Sequence, residues 1–277
     1  MKIRGLFIVM VAGALACLLL TGCKNGKVAA NGKLTWQEKD GKWGMVDKNG
    51  KVVVPYEYDY IDEYTLNNVY RCLENKDDDF LLKVGKGERE DEHQLKEGAK
   101  YGYVNMRGEV VIPLEYDWMY GWFGEDGCSV VEKNGKWGAI DKKGNIVVPI
   151  EYDDFIHPDG YGWSIFNEDG FAVVVKDGKK GLVDKNGKEI IPCEYESVSH
   201  GFSEGMAAVG IGGEFDDEGF YIDGGKWGFV DETGKLVIPL IYDDVTSFKD
   251  GKAYVKKDGK EGYINQKGEF TEEKQGK

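Results

Sequence analysis

One eighteen-residue motif recurs along this chain and constrains its fold more than any other feature. The clearest copy is KWGAIDKKGNIVVPIEYD at residues 136–153, and close copies begin at Lys42 and Lys226. Looser copies begin at Lys100 and Lys179, and a truncated one begins at Lys260. Such self-similarity marks an array in which neighbouring units cover one another's apolar faces. The sequence therefore predicts six tandem copies of one supersecondary unit.

Each unit reads as a meander of short antiparallel strands. An apolar strand precedes each Lys-x-Gly, and Asn-Gly or Asp-Gly between them predicts a two-residue hairpin. A second strand leads to Asp-x-x-Gly or Asn-x-x-Gly, the preferred residues of a type I turn. A third strand is expected to end at a proline such as Pro149, because proline cannot donate to a ladder. A Tyr-Asp pair and a short apolar piece, a possible fourth strand, lead to the next unit. No stretch shows helical periodicity, so the fold class is all-β.

This unit resembles the WG repeat (also called KWG repeat), and the resemblance covers nearly all of residues 34–270. It implies six units of three to four antiparallel strands, near 34–65, 66–123, 124–165, 166–202, 203–248 and 249–277. The array can close as a propeller-like ring or stay open as a β-superhelix, and residues 27–37 could lend the sixth unit a strand for closure. The repeat-structural residues are Trp43, Gly44, Tyr101, Gly102, Trp137, Gly138, Gly181, Trp227, Gly228 and Gly262.

The first 22 residues differ from the rest of the chain. Lys2 and Arg4 precede an apolar run from Gly5 to Leu20, which is short for a membrane span, and small residues then precede Cys23. This segment resembles a bacterial lipoprotein signal peptide, which implies cleavage, a lipid on Cys23 and anchoring in the cell envelope. Lys24 after that cysteine favours the outer membrane or cell surface over the inner membrane. Residues 24–33 are expected to form a flexible tether.

Composition excludes some functions. The net charge of −14 argues against nucleic acid as a partner and against contact with anionic lipid through the protein surface. Beyond Cys23, three cysteines remain (Cys72, Cys128 and Cys193), an odd number that makes no complete disulfide framework. Cys193 and Cys128 occupy apolar places of the repeat and are expected to pack in the core, although a Cys72–Cys128 bridge stays open.

Two units carry acidic insertions at the same place, between the first strand and Lys-x-Gly. They span roughly 75–99 and 210–225 and would project from one edge of the array. Solvated loops, a partner contact or a weak divalent-cation site would explain their charge, although no Ca²⁺-loop spacing is present. The candidate contact residues are Asp77, Asp78, Asp79, Glu90, Asp91, Glu92, Asp216 and Asp217.

Three tryptophans lie outside the aromatic place of the repeat: Trp118, Trp122 and Trp163. They would either fill the space between units or form a surface that stacks on sugars or clasps a peptide.

Catalytic and metal-binding patterns are weak. Residues 201–205 match G-x-S-x-G beside His200, but the strand–turn–helix context of a nucleophile elbow is missing. The three histidines fall in different units, without metal-ligand spacing. We therefore expect no enzyme, no cofactor and no metal. The leading prediction is a lipid-anchored, non-catalytic binding or scaffolding module for protein partners. A polysaccharide-binding surface lipoprotein is the alternative, and a propeller-type hydrolase using Ser203 is a second.

Overall fold

The computed structural model is all-β and describes residues 27–30, 34–62, 81–90, 94–120, 123–124, 126–156, 164–215 and 221–272. It contains six four-stranded antiparallel sheets in tandem, which confirms the predicted fold class. Within these residues there is no helix of the length and apolarity that a membrane span requires. The predicted signal peptide, Cys23 and Cys72 lie outside the described residues.

The sheets follow one another along the chain. Sheet one contains β1 (Lys27–Ala30), β2 (Leu34–Lys39), β3 (Lys42–Asp47) and β4 (Val52–Tyr58). Sheet two contains β5 (Tyr60–Ile61), β6 (Leu81–Lys86), β7 (Lys100–Asn105) and β8 (Val110–Tyr116). Sheet three contains β9 (Trp118–Met119), β10 (Cys128–Lys133), β11 (Lys136–Asp141) and β12 (Ile146–Tyr152).

Sheet four contains β13 (Asp154–Ile156), β14 (Phe171–Lys176), β15 (Lys179–Asp184) and β16 (Glu189–Tyr195). Sheet five contains β17 (Ser197–Val198), β18 (Met206–Ile211), β21 (Lys226–Asp231) and β22 (Leu236–Tyr242). A separate hairpin, β19 (Glu214–Phe215) with β20 (Tyr221–Asp223), is inserted in sheet five. Sheet six contains β23 (Asp244–Val245), β24 (Lys252–Lys257), β25 (Lys260–Asn265) and β26 (Phe270–Glu272).

The short strand after each Tyr-Asp pair belongs to the following sheet. Asp59 alone separates β4 of sheet one from β5 of sheet two, and β5 pairs with β6. The predicted fourth strand is therefore present, and it links each sheet to the next. We call the edge of the array that contains these corners and the β2–β3-type hairpins the corner edge. The opposite edge, with the Asp-x-x-Gly and Asn-x-x-Gly turns, is the turn edge.

Apolar side chains fill the space between consecutive sheets. Five core clusters occupy the five interfaces, from sheets one and two through to sheets five and six. Among the described residues, no such cluster joins sheet six to sheet one. The turn glycines show the same difference between the inner sheets and sheet one. A Cβ on Gly187 would lie 2.1 Å from the Val147 carbonyl oxygen, so this turn packs against the preceding sheet. A Cβ on Gly50 of sheet one would meet nothing within 4 Å.

Residues 27–37 do not supply a strand to the sixth unit. Lys27 pairs with Gln37 inside sheet one, and sheet six has its own last strand, β26. β1 also begins only four residues after Cys23, so the predicted tether is shorter than residues 24–33.

The prediction that each third strand ends at its proline is wrong. β12 runs from Ile146 to Tyr152 and contains Pro149. Ala139 pairs with Val148 and Trp137 with Tyr152, so three residues of β12 bulge opposite Gly138 alone. Because β12 is an edge strand and the proline lies in this bulge, the ladder does not need its missing N–H. Glycine is required opposite the bulge, since a Cβ on Gly138 would lie 2.7 Å from the Ile150 Cα.

Sheet six ends the described array with a polar outer face. Positions that are apolar in sheet five hold Lys252 and Glu261 in sheet six, and Glu261 replaces the tryptophan of the motif. Lys256 pairs with Glu261 across this face at 3.8 Å. A terminal unit has no neighbour to cover a tryptophan, so a polar residue at this position is the expected cap.

The insertion of unit two is shorter than the sequence suggested. Its long strand is β6 (Leu81–Lys86), which lies within the predicted insertion and pairs with β7. The true insertion is the β6–β7 connection, residues 87–99, and that of unit five is the β18–β21 connection with its hairpin. Both connect the same two strands of their sheets, so both project from the corner edge.

Candidate functional site

An acid–lysine contact recurs at each corner. The lysine that opens the motif contacts the carboxylate that follows the tyrosine, as in Lys136 Nζ to Asp153 Oδ1 at 2.6 Å. The other pairs are Lys42–Asp59, Lys100–Asp117, Lys179–Glu196 and Lys226–Asp243. The second oxygen of Asp153 accepts the backbone N–H of Asp177 in the next sheet. The lysine lowers the pKa of Asp153, and so does the N–H. This contact therefore ties consecutive sheets together.

The turn edge has a different electrostatic character. In each turn, the first residue accepts N–H groups of its own turn, as Asp141 Oδ1 does from Lys143 and Asn145. Nine exposed cations surround these turns: Lys48, Lys51, Arg107, Lys142, Lys143, Lys185, Lys188, Lys235 and Lys267. Every ion pair found among the described residues lies at the corner edge, and none involves these nine.

Exposed aliphatic side chains lie beside the turn cations. The first residue of the third strand is 48% exposed at Val52, 52% at Val110 and 60% at Ile146. Leu236 and Val237 of sheet five are each 40% exposed. Sheet four is the exception, with Glu189 at this place. Exposed carboxylates lie at the same edge: Glu109, Glu189, Glu232 and Glu269. The turn edge therefore combines charges of both signs with exposed apolar side chains, which makes it a candidate contact surface.

A second candidate lies between sheets two and three. Lys83 of β6 is only 8% exposed, and its Nζ donates to the Met119 carbonyl oxygen at 2.7 Å. Three aromatic rings surround the amine, with centroids at 5.6 Å for Tyr60, 4.7 Å for Tyr101 and 5.5 Å for Trp118. Burial lowers the pKa of Lys83 to about 8, and the charge of Asp62 opposes this shift.

A hydrogen-bonded group adjoins this lysine. The Tyr103 hydroxyl donates to the Tyr120 carbonyl and lies 3.3 Å from Ser129 Oγ. Ser129 is 1% exposed, and burial raises the pKa of Tyr103. The buried polar groups of this interface are therefore satisfied, since the amine and both hydroxyls have hydrogen-bond partners beside the apolar cluster.

Sequence reasoning missed Lys83, although a signal was present. The third residue of each long strand faces the next sheet, and the other units hold Trp36, Val130, Val173, Ala208 or Tyr254 there. A lysine at this position departs from the repeat, which is where function is sought in such arrays. The sequence analysis assigned residues 75–99 to an insertion, so Lys83 was not recognised as part of the long strand, which is Leu81–Lys86.

Two of the predicted contact residues lie in the described part of the chain. Trp118 is half-buried, with its ring centroid 4.9 Å from that of Tyr120 and 5.2 Å from that of Trp137. Glu90 is exposed in the β6–β7 connection, where its N–H donates to the Gln94 carbonyl. The others lie outside the described residues: Asp77, Asp78, Asp79, Asp91, Glu92, Asp216, Asp217, Trp122 and Trp163.

The weak catalytic pattern has a structural role. Ser203 lies in a turn before β18, and its hydroxyl donates to the Phe248 carbonyl at 2.6 Å. Burial lowers the pKa of His200, and the charge of Lys180 adds to the effect. Within the described ranges, no group of three metal-ligating side chains is present.

The described cysteines pack at the core between sheets three and four. Cys128 and Cys193 are free thiols, and each packs in or against the core between sheets three and four. Burial raises the pKa of Cys128 to about 11 and that of Cys193 to about 12.

Comparisons with solved structures give low overall similarity. A eukaryotic initiation factor structure shares 12% identity over 88% of this chain and 63% of its own, with a TM-score of 0.33. Citrobacter koseri AztD shares 16% identity over 91% and 71%, with a TM-score of 0.33. A Bacteroides caccae protein of unknown function shares 10% identity over 92% and 82%, with a TM-score of 0.23. No curated protein matches the sequence.

A protein-family comparison agrees with the repeat seen in sequence and structure. The model of the WG containing repeat matches residues 43–73, 101–137, 137–179, 181–215 and 227–260, well over half of the chain. These matches include the carboxylates of the corners and the glycines opposite the bulged strands. The chain therefore belongs to the WG repeat family.

Proposed function

We propose that this protein is a membrane-anchored component of the bacterial cell envelope that acts as a non-catalytic binding or scaffolding module for protein partners. The observation that carries the proposal is the turn edge. Its exposed aliphatic residues recur in sheets one, two, three and five, while the corner-edge lysines and carboxylates pair with one another within the fold. An array of this kind offers a long surface on a rigid frame, which suits binding of an extended partner.

The membrane anchoring in this proposal is argued from the N-terminal sequence. The basic start, the apolar run and the small residues before Cys23 support lipid attachment at that cysteine. Metabolic labelling with a fatty acid tests it: the natural chain should incorporate label, and a Cys23→Ala variant should not. Label retained by the variant would remove the anchor from the proposal.

Crosslinking on intact cells, with partners identified by mass spectrometry, tests the binding role. We expect a small, reproducible set of envelope proteins to be crosslinked. A variant in which Asn-Gly replaces residues 88–98 keeps β6 and β7 and shows whether the corner-edge insertion contributes. Recovery of envelope glycan alone would instead support the polysaccharide alternative. Among the described residues, no observation favours that alternative, because Trp118 packs against neighbouring rings.

A further inference from the structure

We infer that the fourth corner, between sheets four and five, binds a lysine side chain of a protein partner at Glu194 and Tyr195. The inference rests on the proposed binding role and names one contact that holds the partner. It comes from comparing equivalent corners of the same chain, because three of them hold the ammonium group of an internal lysine at this place.

The first three corners each bind an internal lysine in the same way. The last residue of the long strand in one sheet contacts a glutamate at the end of the preceding sheet. The pairs are Lys86–Glu57 at 2.9 Å, Lys133–Glu115 at 3.1 Å and Lys176–Glu151 at 3.0 Å. The same amine lies over the ring of the tyrosine that follows the glutamate. The ring centroids are 5.2 Å away for Tyr58, 5.7 Å for Tyr116 and 5.9 Å for Tyr152. In this fold, a glutamate followed by a tyrosine is therefore an ammonium site.

The fourth corner keeps the glutamate and the tyrosine but lacks the lysine. Glu194 and Tyr195 end β16, as a glutamate and a tyrosine end the third strands of sheets one to three. The last residue of β14 is Lys176, whereas the last residue of β18 is Ile211. Glu194 is exposed and Ile211 is 40% exposed, so the site is open to a partner.

No cation in the described part of this corner takes the place of the lysine. Glu194 forms no ion pair with any described residue. The neighbouring amines of Lys179 and Lys226 each contact another carboxylate. Residues 212–225, which follow in the chain, contain five carboxylates and no lysine, arginine or histidine. The charge that this corner offers to a partner is therefore negative after its own cations are counted.

A second carboxylate of the fourth corner is also less well satisfied than its equivalents. At the third corner, Asp153 Oδ2 accepts the N–H of Asp177 from the next sheet. Glu196 takes the place of this aspartate, and its Oε2 is buried without a partner in hydrogen-bonding geometry. Lys179 lowers the pKa of Glu196, and the nearby Gly212 N–H makes a smaller contribution. The fourth corner therefore has an unused acceptor as well as an unpaired glutamate.

A lysine of a polypeptide suits this site better than a metal ion or a free amine. Ca²⁺ takes six to eight oxygen ligands, and the described residues include no group of three metal-ligating side chains. One carboxylate and one aromatic face are what the other corners present to an ammonium group. Both contacts are weak at an exposed site, so stable binding needs the further contacts that a polypeptide makes.

Treatment of intact cells with a water-soluble carbodiimide tests the inference with the full chain. The reagent joins a carboxylate to an amine in contact with it; an amide forms, and the water lost converts the carbodiimide to a urea. We expect mass spectrometry to find Glu194 joined to a lysine of another protein. Glu57, Glu115 and Glu151 should be joined to their internal lysines, and they serve as controls in the same sample.

Restoring the lysine decides whether its loss opens the site. Ile211→Lys gives the fourth corner the residue that the first three corners have, so the fold should accept it. The amide between Glu194 and the partner should fall about tenfold, because the introduced lysine takes the ion pair and the ring contact. Glu194 should instead be joined to that lysine. Leu236→Lys is the matched control, since Leu236 is also 40% exposed and the change in charge is the same. It should keep the yield.

Several outcomes would overturn the inference. These are no amide at Glu194, an amide to a lysine of this same chain in the natural protein, equal loss in both variants, or an amide that forms only after a chelator removes divalent cations. If general crosslinking recovers protein partners while Glu194 is joined to none, this inference fails and the binding role stands. If neither experiment recovers protein, both fail.

Discussion

The interface between sheets five and six and the interface between sheets two and three are packed by side chains of different chemistry. Between sheets five and six the core is apolar, and the Phe229 and Phe248 rings meet edge to face with centroids 4.9 Å apart. Between sheets two and three, a buried lysine, a tyrosine hydroxyl and a serine lie beside the apolar cluster. The backbone register is shared, so the strand pairing of the repeat tolerates buried polar groups at an interface.

The interface between sheets two and three contains a buried amine whose loss of hydration costs stability. A buried amine loses hydration, and its neighbours restore only part of that loss, which is why the pKa of Lys83 falls. An apolar residue at this position, as in the other units, avoids that cost. Local departures of this type concentrate at functional sites. The predictions below test whether the two interfaces differ in stability as their chemistry indicates.

The largest effect is expected from Phe229→Ala between sheets five and six. Phe229 is fully buried, so its removal should lower the free energy of unfolding by about 3–5 kcal/mol. Urea unfolding followed by tryptophan fluorescence measures this change. Leu236→Ala, at an exposed position of the same sheet, is the control and should change stability little. Equal losses in both variants would contradict the assignment of this core.

Replacing Lys83 with methionine should stabilise the protein at neutral pH. The pKa of this lysine is about 8 in the fold against 10.5 ordinarily, which corresponds to about 3 kcal/mol. Between these two values the unfolded chain binds more protons than the folded chain. The stability of the natural protein relative to the variant should therefore rise from pH 8 to pH 10.5. Urea unfolding of both proteins at several pH values in this range measures the difference.

Tyrosine ionisation does not obscure that experiment. Burial raises the pKa of Tyr58 and Tyr152 to about 12, but both proteins contain these residues, so their contribution cancels in the difference. A difference between the two proteins that stays constant with pH would show that Lys83 does not titrate as a buried amine.

The repeat made the fold predictable, because turn chemistry and apolar alternation are local properties. Asn134-Gly135 forms the expected hairpin turn with positive φ at both residues, and the Asp141–Gly144 turn forms as expected. The strand end predicted at Pro149 was wrong, because the strand continues through a bulge and a bulge depends on how two strands pair. The sequence also did not show that the turn of sheet one lacks a neighbour. Gly50 looks like the other turn glycines in sequence, but only the structure shows that no preceding sheet packs against it.

The candidate sites were predictable only in part. The two copies with insertions showed in sequence which connections vary. Sequence alone did not show which charged residues form ion pairs at the corner edge and which lie exposed at the turn edge. Lys142 and Lys136 look alike in sequence, yet only Lys136 pairs with a carboxylate in the described structure. Likewise, the rings around Lys83 come from β5, β7 and β9, which sequence alone does not bring together.

A smaller effect is expected from Tyr103→Phe between sheets two and three. The change removes the hydroxyl that bonds the Tyr120 carbonyl, at a cost of about 1–2 kcal/mol. It also leaves the buried Ser129 hydroxyl without one neighbour. A double-mutant cycle with Ser129→Ala measures the coupling, which should be favourable. Strict additivity of the two changes would show that the 3.3 Å contact contributes nothing to stability.

The smallest effect is expected at the corners, and it should be equal at the two interfaces. Asp117 bonds Lys100 and the Asn134 N–H, and Asp243 bonds Lys226 and the Asp258 N–H. The lysine lowers the pKa of each aspartate, so the stability from either contact is present at neutral pH and is lost as pH falls through the lowered pKa. Asp117→Asn and Asp243→Asn should therefore lower the melting temperature slightly and by the same amount at pH 7. Both differences should shrink as the carboxylates of the natural protein become protonated. A much larger loss in Asp117→Asn would mean that the two interfaces differ at their corners as well as in their cores.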